Sequence, residues 1–457
     1  MMMACTNSVD EGGEELTYST DAVRFSTDVS SQTTRATTGM INNLDALKAS
    51  GDGFGVFAYM TDGKDWTGAL TADPDLSAFS NFFMQNQQVR WDNHYQDAGG
   101  EWQKDWVYSP LKYWPNYTKN TDESDGGTTP GPRYISFFAY APWADATTSP
   151  ESGIINYVRE DDRMPHVIYK LGAPDEQVDL LWAKTLNAKR NGNGLIAVNS
   201  SASEGEELTY QKVPLEFQHA LAAMDIYVQR VYDEPAFTGK IPNVVLYPTV
   251  YISKLELKST ALDGTKNGLQ TVGRLSLIDG TWSDPGAPNE WIGDSEVKIT
   301  YDESMINDTI RGTTNTGEVY IRDIELNKWS NSTYGVNENE RNLIKNSMTQ
   351  VLIPRKVTLI PTLTYSMVVR DDALLVNYLT DGEGHKYSRI LNEVEGNSVT
   401  LDLKAGKRYT LLIRIGVEHI SFELLSVVDW DFPMRFRPDV VTDFENEEIG
   451  HTVNEGE

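Results

Sequence analysis

The sequence predicts an all-β protein made of two tandem β-sandwich domains, and three observations support this. Short apolar runs such as FGVFAYM, GLIAVN and RYTLLIRIGV recur along the chain between Gly, Asn, Asp and Pro residues. This pattern is typical of sandwiches rather than of alternating strands and helices. Aromatic residues make up 10% of the sequence, with 11 Trp and 22 Tyr, which suits sheets. The length of 457 residues is enough for two large all-β domains.

Helix signals are few, and the connectors suggest where the chain divides. The best helix candidate covers 218–224 within LEFQHALAAMDIYV, and the next covers 44–48. The segment YDEPAFTGKIPN, which contains Pro and Gly, lies between two strand-dense halves and has the composition of a connecting loop. We therefore predict four parts: a tether and first strand at 1–35, one sandwich at 36–235, a second at 236–430 and a C-terminal appendage at 431–457.

Charge and motif content exclude several functions. Asp and Glu outnumber Lys and Arg by 67 to 39, which gives a net charge of -28 and argues against nucleic acid as a partner. The sequence has no phosphate-binding loop, no G-x-S-x-G elbow and no H-E-x-x-H zinc motif. Its six histidines are scattered singly, and NTDESDGG has Asp125 where a calcium loop needs Gly. We predict no enzymatic activity, no cofactor and no metal site.

An aromatic cluster has two readings. Large aromatic side chains close in sequence could form a platform on which sugar rings stack, or they could fill a sandwich core. We favour the core, because large aromatic residues dominate such interiors. The cluster comprises Trp102, Trp106, Tyr113, Trp114 and Tyr117.

The start of the sequence resembles the end of a bacterial lipoprotein signal. Cys5, the single cysteine, follows Ala4 and precedes a polar, acidic tether. The basic and apolar stretches that normally precede such a cysteine do not appear, so either the true start lies upstream or Cys5 is incidental. We favour lipidation of Cys5, because a lone cysteine here has no competing structural role.

Two segments near the chain ends alternate apolar and polar residues, as two-faced strands do. A Ser/Thr-rich segment that contains Arg35 follows the first of them and has the composition of an exposed loop that proteases cut readily. The second is interrupted by Pro433 and Pro438, which points to an edge strand. The first strand places Val23, Phe25, Thr27 and Val29 on one face, and the second places Phe432, Met434, Phe436, Val440 and Phe444 on one face.

Several phrases in order resemble the fimbrillin family, whose members are subunits of type V pili assembled by donor-strand exchange on bacterial outer membranes. They run from Cys5 almost to the C-terminus, so the resemblance covers nearly the whole chain. The phrases are VRFSTDVSSQTTRATT, DGFGVFAYMTDG, KYWPN followed by ISFFAYAPW, VPLEFQHALAAMDIYV, and LKAGKRYTLLIRI closing on VVDWD.

The resemblance implies two sandwiches of transthyretin-like topology and export to the cell surface as an outer-membrane lipoprotein, held to the membrane only through lipid on Cys5. It implies cleavage between Arg35 and Ala36 by an arginine-specific protease. Loss of the first strand would expose an adhesive sheet edge. The strand with Phe432 and Phe444 would then insert into another pilin subunit and build a head-to-tail polymer.

Two alternatives remain open at this stage. The C-terminal strand could instead fold onto its own domain, or the acidic end ENEEIGHTVNEGE could extend a disordered tail. The protein could also be a tip adhesin or surface lipoprotein that binds a glycan or a host protein as its receptor.

Overall fold

A computed structural model describes part of the chain. The described residues are 22–29, 40–41, 43–62, 65–72, 82–96, 102–115, 133–145, 152–159, 162–190, 195–199, 207–230, 249–259, 268–283, 297–302, 310–313, 319–322, 349–370, 375, 379–380, 386–415 and 420–430.

The predicted all-β class is confirmed, since nearly every element in these ranges is a strand. The helices are α1 (Leu44–Ala49) and α2 (Trp66–Ala72). The strands of the first half are β1 (Phe25–Val29), β2 (Phe54–Asp62), β3 (Met84–Gln96), β4 (Trp102–Val107), β5 (Arg133–Ala141), β6 (Gly153–Arg159), β7 (Asp162–Lys170), β8 (Leu181–Arg190), β9 (Ile196–Asn199), β10 (Glu207–Tyr210), β11 (Val213–His219) and β12 (Ala222–Arg230).

The strands of the second half include the longest in the structure, β20. They are β13 (Thr249–Ser259), β14 (Val272–Ser276), β15 (Trp282–Ser283), β16 (Val297–Tyr301), β17 (Ile310–Thr313), β18 (Val319–Arg322), β19 (Gln350–Leu352), β20 (Lys356–Arg370), β21 (Leu379–Thr380), β22 (Lys386–Glu395), β23 (Val399–Asp402), β24 (Lys407–Ile415) and β25 (Ile420–Asp429).

The helix predicted at 44–48 is confirmed as α1. Asn43 has an extended backbone and caps the helix, because its side chain accepts a hydrogen bond from the Ala46 amide at 2.8 Å. Leu47 faces the interior and is fully buried.

The helix predicted at 218–224 is wrong. β11 ends at His219 and β12 begins at Ala222, with Ala220 and Leu221 between them. Ala222 and Met224 pack into one apolar cluster while Ala223 packs into another. A strand that is buried on both faces has no alternation of apolar and polar residues, so the Ala-rich run looked helical in the sequence.

The first half is built around a nine-stranded sheet. Its main path runs β1-β11-β8-β5-β2-β3-β4, with β9 beside β8 and β10 beside β9. One face covers an aromatic-rich core that includes Phe25, Phe54 and Phe137. The other face packs against a four-stranded sheet, β15-β14-β7-β6, through residues such as Tyr59 and Tyr169.

The second half is a sandwich of two further sheets. One has the order β16-β13-β20-β22-β21, with β23 beside β20, and the other has the order β19-β12-β24-β25. Residues from both sheets, including Leu363, Met224 and Phe422, share one apolar core. The strands β17 and β18 pair with each other.

Hydrogen bonding crosses the division that we predict at residue 235. β12, which precedes that point, pairs in parallel with β24. β14, which follows it, pairs with β7. The domain bounds therefore stay a prediction, while the described strands link the two halves through these two pairings.

Two neighbouring glycines give a test of backbone packing beside β2. Gly51 and Gly53 both have a positive φ, +77° and +65°, which costs other residues about 1 kcal/mol. A Cβ on Gly53 would lie 2.0 Å from the Val89 carbonyl oxygen, whereas one on Gly51 would meet nothing within 4 Å. We expect Gly51→Ala to lower the free energy of unfolding by about 1 kcal/mol. We expect Gly53→Ala to cost about 1–3 kcal/mol more, as measured by urea denaturation. Equal losses would contradict the steric argument.

Candidate functional site

β1 forms one end of the nine-stranded sheet and pairs in parallel with β11. The register places Phe25 opposite Val213 and Val29 opposite Phe217. Just before β1, the Arg24 carbonyl accepts a hydrogen bond from the Val213 amide at 2.8 Å. The strand is therefore held along β11 by main-chain hydrogen bonds, which any extended chain could make.

The residues just before β1 also contact the far end of the same sheet. The Val23 amide donates to the Lys112 carbonyl at 2.8 Å, and the Tyr108 hydroxyl donates to the Val23 carbonyl at 2.8 Å. Ala22 forms an isolated bridge with Tyr113. Residues 22–29 therefore lie between β11 and the segment that follows β4, and their loss would open a groove between these two walls.

Two side chains of this segment fill the interior. Val23 and Phe25 are both 0% exposed. The Phe25 ring lies 5.6 Å from Phe137, 5.8 Å from Tyr108 and 6.0 Å from Phe54, measured between ring centroids. Burying one such side chain stabilises by about 1.5–3 kcal/mol. The floor of the groove is therefore aromatic.

A buried carboxylate marks the end of the groove that Arg24 occupies. The Asp105 side chain, only 5% exposed, forms salt bridges with Arg24 and with Lys212. The Lys212 Nζ lies 2.6 Å from both Asp105 oxygens, and the Asp105 Oδ1 also accepts from the Trp106 amide at 2.9 Å. A carboxylate buried this deeply needs its cations, since an unpaired buried charge is strongly destabilising.

The residues predicted for the first strand lie in or just before β1. Phe25, Thr27 and Val29 belong to β1 and Val23 precedes it, with Val23 and Phe25 buried and Thr27 partly buried. Their role as a removable strand stays a prediction. The described chain resumes at Met40, so Arg35 falls in the connection between β1 and Met40. The other predicted site residues lie outside the described residues: Cys5, Arg35, Ala36, Phe432, Met434, Phe436, Val440 and Phe444.

Two members of the aromatic cluster belong to the core. Trp106 and Trp114 are 3% and 7% exposed, and they lie 4.9 Å from Phe54 and 6.0 Å from Phe137, respectively. The core interpretation is confirmed for both. Tyr113 is 50% exposed. Tyr117 and the side chain of Trp102 lie outside the described part of the structure.

A second buried cluster brings together the chain after Arg35 and the chain before the C-terminal tail. The Asp179 carboxylate accepts from the Ile41 amide at 3.1 Å and lies 3.1 Å from the His219 Nδ1. The His219 ring stacks on Trp430 with centroids 4.0 Å apart. Burial and the nearby Asp179 charge raise the pKa of Tyr169, which stays a neutral hydrogen-bond donor here. Ile41, which follows the predicted cleavage site, and Trp430, which precedes the predicted donor strand, are therefore both linked to His219 at the end of β11.

The residues that line the two sides of the groove were not predicted from the sequence. β11, Tyr108, Asp105 and Lys212 were not among the predicted residues, because their contacts with the first strand join distant parts of the chain. The alternation in VPLEFQH, where buried and exposed residues follow each other, is the one local signal of a strand near a sheet edge.

Within the described ranges, no group of three or more His, Cys, Asp or Glu side chains is placed to hold a metal ion. No described helix is both long and apolar enough to cross a membrane.

Comparison with known proteins identifies the fold. No family model matches the sequence, and no curated protein matches it either. A fimbrial protein from Bacteroides vulgatus is 17% identical, with 90% of this chain and 99% of that chain covered and a TM-score of 0.54. A candidate cell adhesion protein from Bacteroides ovatus is 11% identical, with 90% and 97% covered and a TM-score of 0.36. The first similarity shows that this chain shares the fold of that fimbrial protein, in agreement with the fimbrillin resemblance of the sequence.

Proposed function

We propose that this chain is a structural pilus subunit that is exported as a lipoprotein with lipid on Cys5 and cleaved between Arg35 and Ala36. The subunits then polymerise on the cell surface by donor-strand exchange and serve adhesion. The observation that carries the proposal is the position of residues 22–29, which complete the sheet between β11 and the segment after β4. The link to the rest of the chain contains Arg35.

Cleavage at Arg35 would change how this segment is held. Residues 1–35 would become a separate chain, retained by the β11 ladder, the buried apolar side chains of Ala22, Val23 and Phe25, and the salt bridge to Asp105. These noncovalent contacts can dissociate and re-form, whereas the intact peptide chain of the uncleaved protein keeps the segment attached. An incoming strand that offers the same main-chain groups and apolar anchors can therefore replace it.

The C-terminal tail is the segment that we propose as the replacement. It follows Trp430, which is buried and held by a hydrogen bond from its amide to the Gly406 carbonyl at 2.8 Å. The tail carries Phe432, Met434, Phe436, Val440 and Phe444 on one face. A groove at one place and a donor at another give a heterologous contact, which builds an open filament.

The test is assembly after controlled cleavage. The purified precursor, treated with an arginine-specific protease, is expected to give SDS-resistant ladders on gels once residues 1–35 are released. Arg35→Ala and a chain ending at Trp430 should both remain monomeric. Arg35→Lys is the matched control for charge, since it keeps the cation but removes the cleavage site, and it should also stay monomeric. Ladders from the uncleaved Arg35→Ala protein or from the truncated chain would contradict the proposal.

A further inference from the structure

We infer that the tail enters the groove of a second copy of this chain in one defined register, in which Arg435 replaces Arg24 and pairs with the buried Asp105. Met434 and Phe436 then take the places of Val23 and Phe25. The inference rests on the proposed function and specifies how its donor strand is recognised.

The two segments have matching sequences. Residues 23–29 read VRFSTDV and residues 434–440 read MRFRPDV. In this alignment Arg24, Phe25, Asp28 and Val29 each meet the identical residue type in the tail, and Val23 meets another apolar residue, Met434. The tail thus repeats the strand that it would replace.

The structure accounts for the pattern of matches and differences. Positions 23 and 25 are fully buried, and the tail keeps apolar residues there. Ser26 and Asp28 are exposed, so a long polar side chain such as that of Arg437 has room at the position of Ser26. The one substitution that introduces a charge, Arg437 at the position of Ser26, therefore falls where the side chain is exposed.

The prolines of the tail fit this register. The Arg24 carbonyl faces β11, and the Val23 amide faces Lys112. Because the backbone groups of successive residues in a strand point to opposite sides, those of the odd-numbered residues in this segment point away from β11. Pro438 takes the place of Thr27, whose N–H is therefore not part of the β11 ladder. Pro433 takes the place of Ala22, which precedes β1 and lies outside that ladder. The missing N–H groups cost no hydrogen bond to β11.

Charge fixes the register. When the first strand leaves, Asp105 loses Arg24 and keeps only Lys212 of its two described salt-bridge partners. Removing one partner from a buried ion pair is costly, so a donor that brings a cation to this position is favoured over one that does not. In this register Arg435 supplies that cation, while Arg437 takes an exposed position.

The tail cannot take this register in its own subunit. Trp430 is fixed beside His219, at the opposite end of β11 from Val213. The six residue-to-residue steps from Val213 to His219 span about 20 Å. The five residue-to-residue steps from Trp430 to Arg435 reach at most about 18 Å when fully extended, which leaves no chain for the reversal of direction that a parallel register requires. The groove must therefore belong to another copy.

Cysteine cross-linking tests the register. Asp28 pairs with Glu216, so the inferred register places Asp439 opposite Glu216, at the spacing of neighbouring strands and within disulfide range. Asp439→Cys with Glu216→Cys should form disulfide-linked ladders under oxidation after cleavage, since Cys5 leaves with the released segment. Asp439→Cys with Gln218→Cys is the matched control, two residues further along the same exposed face and out of disulfide range. Cross-linking through position 218, or polymers with no cross-link through 216, would overturn the register.

Charge substitution tests the role of Arg435. Arg435→Gln should slow polymer growth about tenfold or more, while Arg437→Gln should change the rate less than about twofold, and Arg435→Lys should recover most of the growth. Mass spectrometry checks that cleavage occurs only after Arg35 and that the tail is intact. Equal effects of the two glutamines would overturn the inference while leaving donor-strand assembly in place. Absence of any polymer from the unmodified cleaved protein would instead refute the proposed function.

Discussion

Replacing Phe25 with alanine is expected to lower the free energy of unfolding of the uncleaved protein by about 3–5 kcal/mol. The ring is 0% exposed and is surrounded by Phe54, Tyr108 and Phe137 at 5.6–6.0 Å between centroids. Truncation removes these contacts and leaves a cavity in a rigid aromatic environment. Guanidinium denaturation followed by Trp fluorescence measures the loss.

Ser26→Ala is the matched control for that substitution. Ser26 is the next residue in β1, is exposed, and makes a long 3.5 Å hydrogen bond to the Val213 carbonyl. Its substitution should change stability by less than about 0.5 kcal/mol. If Phe25→Ala is as mild as Ser26→Ala, the first strand contributes little to the fold, and its release would expose no adhesive groove.

Replacing Asp225 with alanine is expected to destabilise the second half by about 3–5 kcal/mol. Asp225 is 2% exposed and accepts from the Arg408 Nε at 2.6 Å and from the Thr349 hydroxyl at 2.8 Å. Arg408 also donates to the Thr349 hydroxyl at 2.8 Å, so the three groups tie β12 to β24 and to the residue before β19. Without the carboxylate, the Arg408 charge stays largely buried, with its salt-bridge partner gone. Thermal denaturation by circular dichroism measures the effect.

An exposed ion pair between β24 and its neighbour β25 serves as the control. Lys407 and Asp429 form a salt bridge with side chains 39% and 69% exposed. Asp429→Ala should cost at most about 1 kcal/mol. A loss for Asp225→Ala no greater than for Asp429→Ala would mean that the buried network does not hold these strands together.

The features that could be predicted from the sequence are those that depend on residues close together in the chain. Strand alternation placed Val23 and Phe25 on one face, and capping chemistry at Asn43 accompanies the short helix that the sequence indicated. The partners of the first strand were out of reach, because 187 residues separate Ser26 from Val213 and 81 separate Arg24 from Asp105. Such pairings are decided by the packing of the whole sheet.

The wrong helix at 218–224 has the same origin. Local propensity favours a helix for Ala-rich sequence, but the two-sided burial of β12 between cores selects a strand. The match between residues 23–29 and 434–440 is visible in the sequence, yet its meaning depends on knowing which positions are buried and that Arg24 contacts a buried carboxylate.

The stacking of Trp430 on His219 has a mechanical consequence for the proposed filament. Tension on a subunit would enter through the donor strand lying along β11 and leave through the tail after Trp430, which stacks on His219 at the end of β11. The tail continues directly from β25, which ends at Asp429, so the sheet β19-β12-β24-β25 would carry part of this load. Because the donor strand would be pulled along its own axis, its ladder would be sheared all at once instead of peeled bond by bond. Such a joint resists force far better than its equilibrium affinity suggests.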